Sequence, residues 1–505
     1  MTLPGWLDPL LDAERMRATD RWAIDERGVP SLDLMERAGA GLAELVDGTV
    51  PEGRLAVVCG KGNNGGDGLV AARLLRESGR EVTVLALAGL EESTGDAREN
   101  LLRLPDPPPE PFRPPLLEGC AGVVDAILGT GSSGAPRGPA AEAIAAIVNH
   151  AAPAVAADIP SGVDASTGEV PGEAVRATAT ATFHAAKPGL WINPGKRHAG
   201  EVDVIDIGIP RDAPVQADIG LIDSAVRALV PGREAGSTKF TSGHVLVAGG
   251  SVGLTGAPSL ASDAAMRAGA GYVTACVPAS LNLVFEARLL EVMTVPLGDD
   301  QDGSLLEAAA ERVLELAERR GGALVLGPGL GRRDGAASFA RRLAAQAPVA
   351  LVLDADGLNA HAGQLESLTG RPSAAVLTPH AGELGRLLEL DSAEVDAHRL
   401  ARVREAASRA QAIVVLKGDD TLVAAPDGRV GVSRGGSRAL ATAGTGDVLS
   451  GVVGAMLAKG LDPFAAACAA VWIHTRAGVL AAERRPAEGV IASDVIAELP
   501  WALVE

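Results

Sequence analysis

A glycine-rich loop between a short apolar run and a helix-like segment places the tightest limit on the fold of this chain. Residues 60–68 read GKGNNGGDG, with five glycines in nine positions, and they follow the apolar run 55–59. Glycines let a backbone turn sharply from a strand into a helix and approach a bound anion closely. The asparagines and the aspartate add amide and carboxylate oxygens to the same turn. The loop therefore predicts an α/β unit with a phosphate site that can also hold a cation.

Short β-like runs alternate with helical stretches along both halves of the chain. At 505 residues the chain exceeds one ordinary domain. The predicted strands are 55–59, 82–86, 123–128, 154–158, 179–184, 202–207, a run starting at 244, 272–277, 323–326, 350–354, 374–378, 413–417 and 421–425. Such alternation predicts mostly parallel sheets with helices on both faces. The sequence thus predicts an α/β protein with a Rossmann-like three-layer domain at 1–222 and a second α/β domain at 223–505.

The segments outside these strands carry helix, loop and linker signals. Helical spacing predicts one or two entry helices within 14–47. The proline-rich segment 96–115 is predicted to be a loop, and the fading pattern across 209–243 predicts a linker. The alanine-rich C-terminal helices either cover the second sheet or form the interface of a homo-oligomer, which we expect the chain to form.

Charge and cysteine usage exclude several classes of protein. The net charge of -19 disfavours nucleic-acid binding, which requires basic patches. Residues 1–20 lack the apolar core of a signal peptide, and no uninterrupted apolar run reaches membrane-spanning length. The four cysteines are far apart, match no metal spacing and are predicted to be buried free thiols in a reducing compartment. We therefore expect a cytoplasmic protein with small-molecule partners, no nucleic-acid partner and no membrane partner.

The first glycine-rich loop fits the dinucleotide fingerprint GxGxxG but departs from an ordinary dehydrogenase. The fingerprint expects an acid at the end of the next strand to hold ribose, and residues 82–89 contain none. The paired asparagines and the aspartate of the loop are also foreign to it. A hydride-transferring dehydrogenase is therefore disfavoured.

Polar clusters follow three further predicted strands of the first half, at 125–134, 158–164 and 186–189. Open α/β sheets bind ligands at the carboxyl ends of their strands. Each cluster alone is better explained as a polar turn. Together with the first loop they predict a ligand site at one edge of the sheet.

The set NNGGDG, DxxxGTG, DxPSG and KPG resembles the NAD(P)H-hydrate epimerase domain over roughly residues 10 to 220. The resemblance implies binding of a hydrated nicotinamide dinucleotide and a potassium ion. It implies that Asn64, Asp125 and Ser161 hold the potassium ion. The residues that it implies around the hydrate are Asn63, Asn64, Gly65, Gly66, Asp67, Gly129, Thr130, Gly131, Ser132, Ser133, Gly134, Ala135 and Asp158.

Epimerisation inverts C6, the ring carbon that bears both the hydroxyl group and the ring nitrogen. This carbon can lose and regain its substituent through an iminium-like state, and a nearby carboxylate can shuttle a proton and stabilise the cation. We expect Asp158 to have this catalytic role, with Lys187 assisting. Asp158 could instead be a structural cap of the turn that follows it.

A second glycine-rich acidic loop, Gly444-Thr445-Gly446-Asp447, precedes an apolar helix in the second half. The free N–H groups of a helix N-terminus favour phosphate. Asp447 would lie beside this anion site, ready to take a proton from an attacking hydroxyl; it could alternatively be a plain N-cap. The segment 417–421, between two predicted strands, suits a nucleotide contact or a charged hairpin turn.

The second half resembles the ribokinase-like superfamily and, within it, the nucleotide-dependent NAD(P)H-hydrate dehydratase family. The matching motifs are GGS at 249–251, TGAP at 255–258, GPGLG at 327–331, DADGLN at 354–359, TPHAGE at 378–383, KG at 417–418 and the loop at 444–447. Two departures are Ala381, where the family usually has proline, and Gly436-Ser437, where it often has Gly-Asn. Neither departure removes a reactive group.

This second resemblance implies a set of binding residues and a catalytic base. Ala257, Gly329, His380 and Asp447 would contact the hydrate, with Asp447 catalytic. Lys417, Gly418, Asp419, Asp420, Thr421 and Gly446 would contact the adenine nucleotide. Magnesium would bridge the nucleotide phosphates, and ADP is the implied nucleotide. His380 is equally well explained as a structural histidine.

The two resemblances together imply metabolite repair in two consecutive steps. The first half would interconvert the R and S hydrates of NADH and NADPH. The second half would dehydrate the S hydrate to NAD(P)H while ADP becomes AMP and phosphate. The alternatives are a ribokinase-like small-molecule kinase with a regulatory N-terminal domain, and a nucleotide-binding sensor with inert sites.

Overall fold

The structure, a computed structural model, describes residues 3–89 and 92–504. Its strands are β1 (Leu7–Leu10), β2 (Leu55–Cys59), β3 (Val82–Ala86), β4 (Glu110–Pro111), β5 (Gly122–Ala126), β6 (Ala154–Ala157), β7 (Ala179–Phe183), β8 (Glu201–Ile205), β9 (Ile219–Ile222), β10 (His244–Ala248), β11 (Tyr272–Pro278), β12 (Met293–Leu297), β13 (Ala323–Leu326), β14 (Ala350–Leu353), β15 (Ala375–Leu377), β16 (Ile413–Leu416), β17 (Leu422–Ala424) and β18 (Val430–Ser433).

The helices lie between these strands, as the alternating pattern predicts. They are α1 (Ala13–Asp25), α2 (Ser31–Thr49), α3 (Asn63–Glu77), α4 (Gly95–Arg103), α5 (Gly138–Val148), α6 (Lys196–Ala199), α7 (Gly256–Arg267), α8 (Asn282–Arg288), α9 (Ala310–Arg320), α10 (Asp334–Gln346), α11 (Asp356–Asn359), α12 (Ala381–Leu388), α13 (Ser392–Ala397), α14 (Arg399–Ala410), α15 (Thr445–Ala458), α16 (Pro463–Arg484) and α17 (Ala492–Ala502).

The chain forms two compact units. The N-terminal unit is Pro9–Ile219, and the C-terminal unit contains Leu3–Asp8 and the chain from Gly220 onward. The sequence places the division between 222 and 223, and it gave no sign that the first residues belong to the C-terminal unit.

The sheet of the N-terminal unit has the order β4-β3-β2-β5-β6-β7-β8, and its neighbouring strands pair in parallel. Alternate residues of β2 enter two different cores. Val57 packs with helices α2 and α3, whereas Val58 packs with α5. Since successive side chains of a strand point to opposite faces, both faces of the sheet are covered. This is the predicted three-layer arrangement.

The sheet of the C-terminal unit has the order β1-β9-β18-β17-β16-β15-β14-β13-β10-β11-β12. The strands from β16 to the edge strand β12 pair in parallel, whereas β16, β17 and β18 pair antiparallel. Helices α7, α15 and α16 pack on one face. Gly451 permits this packing, because a Cβ there would lie 2.1 Å from the Ala261 carbonyl oxygen. The fold class is therefore α/β in both units.

One helix among the described residues, α16, is long and apolar enough to cross a membrane by length and composition alone. In the structure, 78% of its most apolar window is buried. Phe464, Cys468 and Ile473 of this helix belong to the main core. Its apolar character is therefore that of a core helix that covers the sheet.

The structure corrects two sequence predictions. The segment 96–115 is not only a loop, because α4 occupies its first part and β4 its middle. The apolar pair Leu101 and Leu102 shows the helical signal that the neighbouring prolines obscured. The predicted linker 209–243 contains β9, whose residues are buried in the sheet. Strands β1, β4, β9, β12 and β18 were not predicted, since they are short or interrupted by proline or glycine.

Candidate functional site

The N-terminal unit contains a cavity of about 870 Å³ beside the carboxyl ends of β2, β5 and β6. Helices α1 and α2 complete its wall. The sequence-predicted residues that line it are Asn63, Asn64, Asp67, Gly129, Thr130, Gly131, Ser132, Asp158 and Lys187. The ends of β2, β5 and β6 and the segment after β7, which contains Lys187, are thus brought to one cavity. Gly65, Gly66, Ser133, Gly134 and Ala135 are not among its lining residues.

Gly65 and Gly66, at the start of α3, allow close packing behind the cavity. A Cβ on Gly65 would lie 1.9 Å from the Gly60 carbonyl oxygen, and one on Gly66 would lie 2.6 Å from the Met35 sulfur. The start of α3 therefore lies tightly against the loop and α2. This packing holds Asn64 and Asp67 in the first turns of α3, facing the cavity. Ser133, Gly134 and Ala135 are exposed.

Asp158 and Lys187 form a buried ion pair at the cavity. The Lys187 ammonium lies 2.7 Å from Asp158 Oδ1 and also donates to Thr182 Oγ1 and the Phe183 carbonyl oxygen. The backbone N–H and hydroxyl of Thr130 donate to Asp158 Oδ2 at 2.8 and 2.6 Å. Burial raises the pKa of Asp158, but the Lys187 charge and these hydrogen bonds outweigh burial and lower it below 3.8. Asp158 is therefore held as a carboxylate.

The backbone at Asp158 is strained, with a φ of 66°. Left-handed conformations are uncommon for residues other than glycine, although aspartate and asparagine tolerate them best. This turn directs both carboxylate oxygens to fixed donors. The plain capping role that the sequence left open does not describe these contacts.

Two more carboxyl groups lie at the same cavity. Burial and the nearby Asp158 charge raise the pKa of Asp67 well above its ordinary value. Burial raises the pKa of Asp20 to about 6, although Lys187 opposes this shift. The sequence included Asp67 among the hydrate-lining residues but missed Asp20. No motif contains Asp20, and only the packing of α1 brings it to the cavity.

The sequence-predicted potassium ligands lie at or beside this cavity. Asp125 is fully buried, and it accepts hydrogen bonds from the Ser161 hydroxyl at 2.6 Å and the Ser161 N–H at 2.8 Å. Both side-chain polar atoms of Asn64 are buried and have no hydrogen-bond partner among the residues that the structure describes. Gly129 lies between Asn64 and the Asp158–Lys187 ion pair, since a Cβ there would be 3.1 Å from both Asn64 Cγ and Asp158 Oδ2.

These residues fit an alkali cation. Burial raises the pKa of Asp125 to about 6, and its hydrogen-bond partners are neutral. A buried carboxyl group and an unpartnered amide oxygen are both costly without a cation or other donor. Hydroxyl, amide and carboxylate oxygens are ligands of hard cations. Among residues 3–89 and 92–504, no group of three or more His, Cys, Asp or Glu residues could hold a metal ion.

A second candidate site lies at the carboxyl ends of the central strands of the C-terminal sheet. Helix α15 begins there after Gly444, which has a φ of 90°. A Cβ on Gly329 would lie 3.3 Å from the Ala257 Cβ, so this loop packs on the start of α7. The N–H of Gly331 donates to Asp356 Oδ2. The loop after β13 and the residues after β14 are therefore joined at this edge.

Lys417 is the centre of the charge network at this site. Its ammonium lies 3.0 Å from Asp354 Oδ1 and 3.7 Å from Glu383 Oε2. Burial lowers the pKa of Lys417, but Asp354 and Glu383 outweigh burial and raise it. A Cβ on Gly446 would lie 3.4 Å from this ammonium. The lysine therefore lies directly below the N-terminus of α15.

Asp447 has the pKa of a group that can exchange a proton near neutrality. Burial and the charge of Asp354 raise it from 3.8 to about 7, while Lys417 lowers it. Its carboxyl group makes no hydrogen bond within the described part of the chain, so it is not the plain N-cap that the sequence left open. The crowding of Asp354, Asp356 and Glu383 around it leaves an excess of negative charge. These carboxylates do not form a complete metal site by themselves, so a divalent cation such as magnesium would also need phosphate oxygens of a bound nucleotide as ligands.

His380 and the segment 417–421 have partly structural roles. His380 Nδ1 accepts from the N–H groups of Gly382 and Glu383 and caps α12, while its side chain is 55% exposed. Asp420 is buried against Arg399 at 2.9 Å. The Thr421 hydroxyl donates to the Gly418 carbonyl oxygen. A ligand at this turn would therefore meet its backbone and the exposed Asp419, not the Asp420 side chain.

The sequence missed three groups of this second site. Asp354 and Glu383 lie within quoted motifs, but nothing in the sequence showed that both reach Lys417. His474 of α16 is buried and hydrogen-bonds the Thr445 backbone, and burial lowers its pKa to about 4. A single histidine in an alanine-rich helix was its only signal.

Comparison with known proteins agrees with both halves of this description. Residues 31–189 match the family described as YjeF-related protein N-terminus, and residues 245–500 match the NAD(P)H-hydrate dehydratase family. A bifunctional NAD(P)H-hydrate repair enzyme of Moorella thermoacetica is 40% identical over 513 residues, which cover 98% of this chain and 96% of that protein. This chain belongs to the family of bifunctional NAD(P)H-hydrate repair enzymes.

Further relatives have the same name or a related one. The bifunctional NAD(P)H-hydrate repair enzyme of Escherichia coli is 34% identical and covers 96% of this chain and 92% of its own length. A crystal structure of ADP/ATP-dependent NAD(P)H-hydrate dehydratase from Bacillus subtilis, co-crystallized with ATP/Mg2+, is 29% identical. It covers 55% of this chain and 95% of its own, with a TM-score of 0.48. The sequence matches confirm the assignment to NAD(P)H-hydrate repair.

Proposed function

We propose that this chain repairs hydrated NADH and NADPH in two steps, each in its own unit. The N-terminal unit interconverts the R and S hydrates, and the C-terminal unit dehydrates the S hydrate. The observation that carries this proposal is that each unit has its own lysine–aspartate pair at a strand end, beside a further carboxyl group whose pKa is raised. The family matches of the two segments support the same division.

In the N-terminal unit, C6 of the hydrate passes through an iminium-like state. The Asp158 carboxylate lies beside the cavity and stabilises positive charge on the ring, while Lys187 and Thr130 fix its position. Asn63, Asn64, Asp67 and the segment 129–132, which line the cavity, bind the dinucleotide. Asn64, Asp125 and Ser161 would hold a potassium ion, whose charge would neutralise Asp125 and order these loops.

In the C-terminal unit, dehydration proceeds through phosphoryl transfer, because hydroxide is a poor leaving group at neutral pH. Asp447 takes the proton of the C6 hydroxyl group while the oxygen of that hydroxyl attacks the terminal phosphorus of ADP, and AMP leaves. The ring nitrogen then expels phosphate, and loss of the C5 proton restores the ring double bond. Ala257, Gly329 and His380 bind the hydrate.

The nucleotide is held at the N-terminus of α15. The N–H groups at Gly446 and the Lys417 ammonium offer a positive site for its phosphates. Backbone groups at 417–421 contact the rest of the nucleotide. Magnesium would be held by the nucleotide phosphates and the nearby carboxylates, and it would neutralise charge during the transfer. We infer a cytoplasmic location, because the reduced dinucleotides of metabolism are its substrates.

Recovery of reduced-nicotinamide absorbance from mixed R and S NADH hydrate tests the proposal. The reactions contain ADP and magnesium, ATP and magnesium, or no nucleotide. Complete nucleotide-dependent recovery in the wild type, and none in Asp447→Ala, is the expected result. Recovery that stops near half would contradict the epimerase step. A stable phosphorylated product in place of free phosphate would contradict dehydration and indicate a small-molecule kinase.

A further inference from the structure

The cavity of the N-terminal unit is lined by the carboxyl groups of Asp20, Asp67, Glu92, Asp96 and Asp158, of which Asp20, Asp67 and Asp158 interact with one another electrostatically. Asp158 uses both of its oxygens, one on the Lys187 ammonium and one on the two donors of Thr130. Asp20 and Asp67 make no hydrogen bond or ion pair with the residues that the structure describes. Their carboxyl groups are therefore open only to what enters the cavity.

Epimerisation at C6 requires a group that gives a proton to the departing hydroxyl and later takes one back. Asp158 is poorly suited, because protonating it would break its contacts with Lys187 or Thr130. Asp20 lies on α1, on a different element from Asp158. It also precedes residue 31, where the match to the N-terminal family begins. Asp158 would therefore act as a fixed anion, and a different carboxyl group would transfer the proton.

We propose that Asp20 is the proton-transfer residue of the epimerisation, an assignment that rests on the proposed function. The protonated Asp20 carboxyl donates to the C6 hydroxyl oxygen, the C–O bond breaks, and water leaves. The ring nitrogen lone pair forms the C=N bond of the iminium, beside the Asp158 carboxylate. Water then adds to the other face of C6, and the proton that it releases returns to Asp20 through solvent in the cavity. One proton is given and one is regained.

The charged groups facing Asp20 agree with this role. Burial raises its pKa to about 6, Lys187 lowers it and Asp158 raises it. The charge of Asp20 in turn raises the pKa of Asp67, which burial and Asp158 raise more strongly. Arg17, on the same helix, lines the same cavity. General acid–base catalysis is most effective when the pKa is close to the working pH. Asp20 meets this condition better than Asp67 or Asp158.

The test follows conversion of purified R hydrate to S hydrate by chromatography, without nucleotide, so that dehydration does not remove the product. Asp20→Asn should lower kcat about 100-fold to 10,000-fold while KM changes little. The wild-type rate should fall as pH rises through about 6, because the reaction begins with the protonated Asp20 carboxyl group. This fall should be absent in Asp20→Asn. Asp25→Asn, an exposed position on the same helix, should behave as the wild type. Formate should partly restore activity to Asp20→Ala, which a merely structural role would not allow.

Several outcomes would overturn the inference. An active Asp20→Asn beside an active wild type would overturn it while leaving the proposed function intact. Loss of activity in Asp67→Asn but not in Asp20→Asn would assign the proton transfer to Asp67. Loss in Asp20→Asn with a lowered melting temperature and no formate rescue of Asp20→Ala would show a structural role. A wild type that does not interconvert the hydrates would overturn the proposed function as well.

Discussion

Replacing Lys187 by methionine isolates the charge of the buried ion pair in the N-terminal unit. Lys187 is 1% exposed, and its ammonium lies 2.7 Å from Asp158 Oδ1. Methionine fills a similar volume but leaves the Asp158 carboxylate with only the Thr130 donors. Breaking a buried pair by removing one partner costs about 3–5 kcal/mol, because the remaining charge is uncompensated.

The pH sets an upper limit to this cost. In the wild type, the lowered pKa of Asp158 means that the pair contributes stability above the unfolded value of 3.8 and loses it as pH falls through the folded pKa. In Lys187→Met, only the Thr130 hydrogen bonds still oppose burial, so the pKa of Asp158 rises and the carboxyl group can escape its charge by binding a proton. That proton costs about 1.4 kcal/mol for each pH unit above 3.8. Protonation therefore limits the cost of the uncompensated charge to about 4 kcal/mol at pH 7 and about 2 kcal/mol at pH 5.

Hydrogen exchange of the backbone amides in residues 154–190, measured on the full chain at both pH values, reports this local stability. The double variant Lys187→Met/Asp158→Asn removes both charges, and asparagine tolerates the positive φ of this position. It should regain most of the stability that Lys187→Met loses at pH 7. Equal losses at pH 5 and pH 7, or a double variant no more stable than the single one, would refute the reasoning.

Three further predictions concern both units. Dehydration should accelerate as pH rises through about 7, because the proposed base Asp447 has its pKa raised to about 7. Asp447→Asn should lower kcat about 100-fold to 10,000-fold. A rate of absorbance recovery that does not vary between pH 5 and pH 9 would contradict this role. Asn64→Leu should abolish any stimulation of epimerisation by potassium over tetramethylammonium, because it removes an unpartnered buried amide oxygen; an unchanged potassium response would exclude Asn64 as a ligand. Gly451→Ala should cost about 1–3 kcal/mol and lower the melting temperature, because its Cβ would overlap the Ala261 carbonyl oxygen; the control Gly48→Ala, whose Cβ meets nothing within 4 Å, should not, and equal melting temperatures would contradict the packing argument.

The strand ends were predictable because two local signals coincide there. Apolar runs such as 55–59 mark buried parallel strands, and the polar residues that follow them must lie at the ligand-binding edge of the sheet. Asp158, Lys187 and Lys417 were found in this way. Their pairing was not predictable, because Lys187 reaches Asp158 only through the return of the chain after β7, and Lys417 reaches Asp354 across 63 positions.

Residues on helices that cover the strand ends escaped sequence reasoning. Asp20 lies within a helix whose pattern of polar and apolar residues explains it as a solvated position. Only the packing of α1 over the cavity changes its environment. His474 was missed for a similar reason, since a histidine in an apolar helix is more often a hydrogen-bonded core residue than part of a functional site. Both become informative only when long-range packing is known.

The two units solve a common electrostatic problem in the same way. Each fixes one carboxylate at a strand end with a buried lysine: Asp158 with Lys187, and Asp354 with Lys417. Burial raises the pKa of a neighbouring carboxyl group, Asp20 in one unit and Asp447 in the other, and in each case the fixed anion adds to this rise while the lysine opposes it. Burial alone would raise these values, but the neighbouring anion makes the shift depend on a contact that the fold controls. A permanent anion beside a titratable acid suits both proposed reactions, because in each a proton moves at the C6 hydroxyl oxygen and the ring becomes positively charged when the C–O bond breaks.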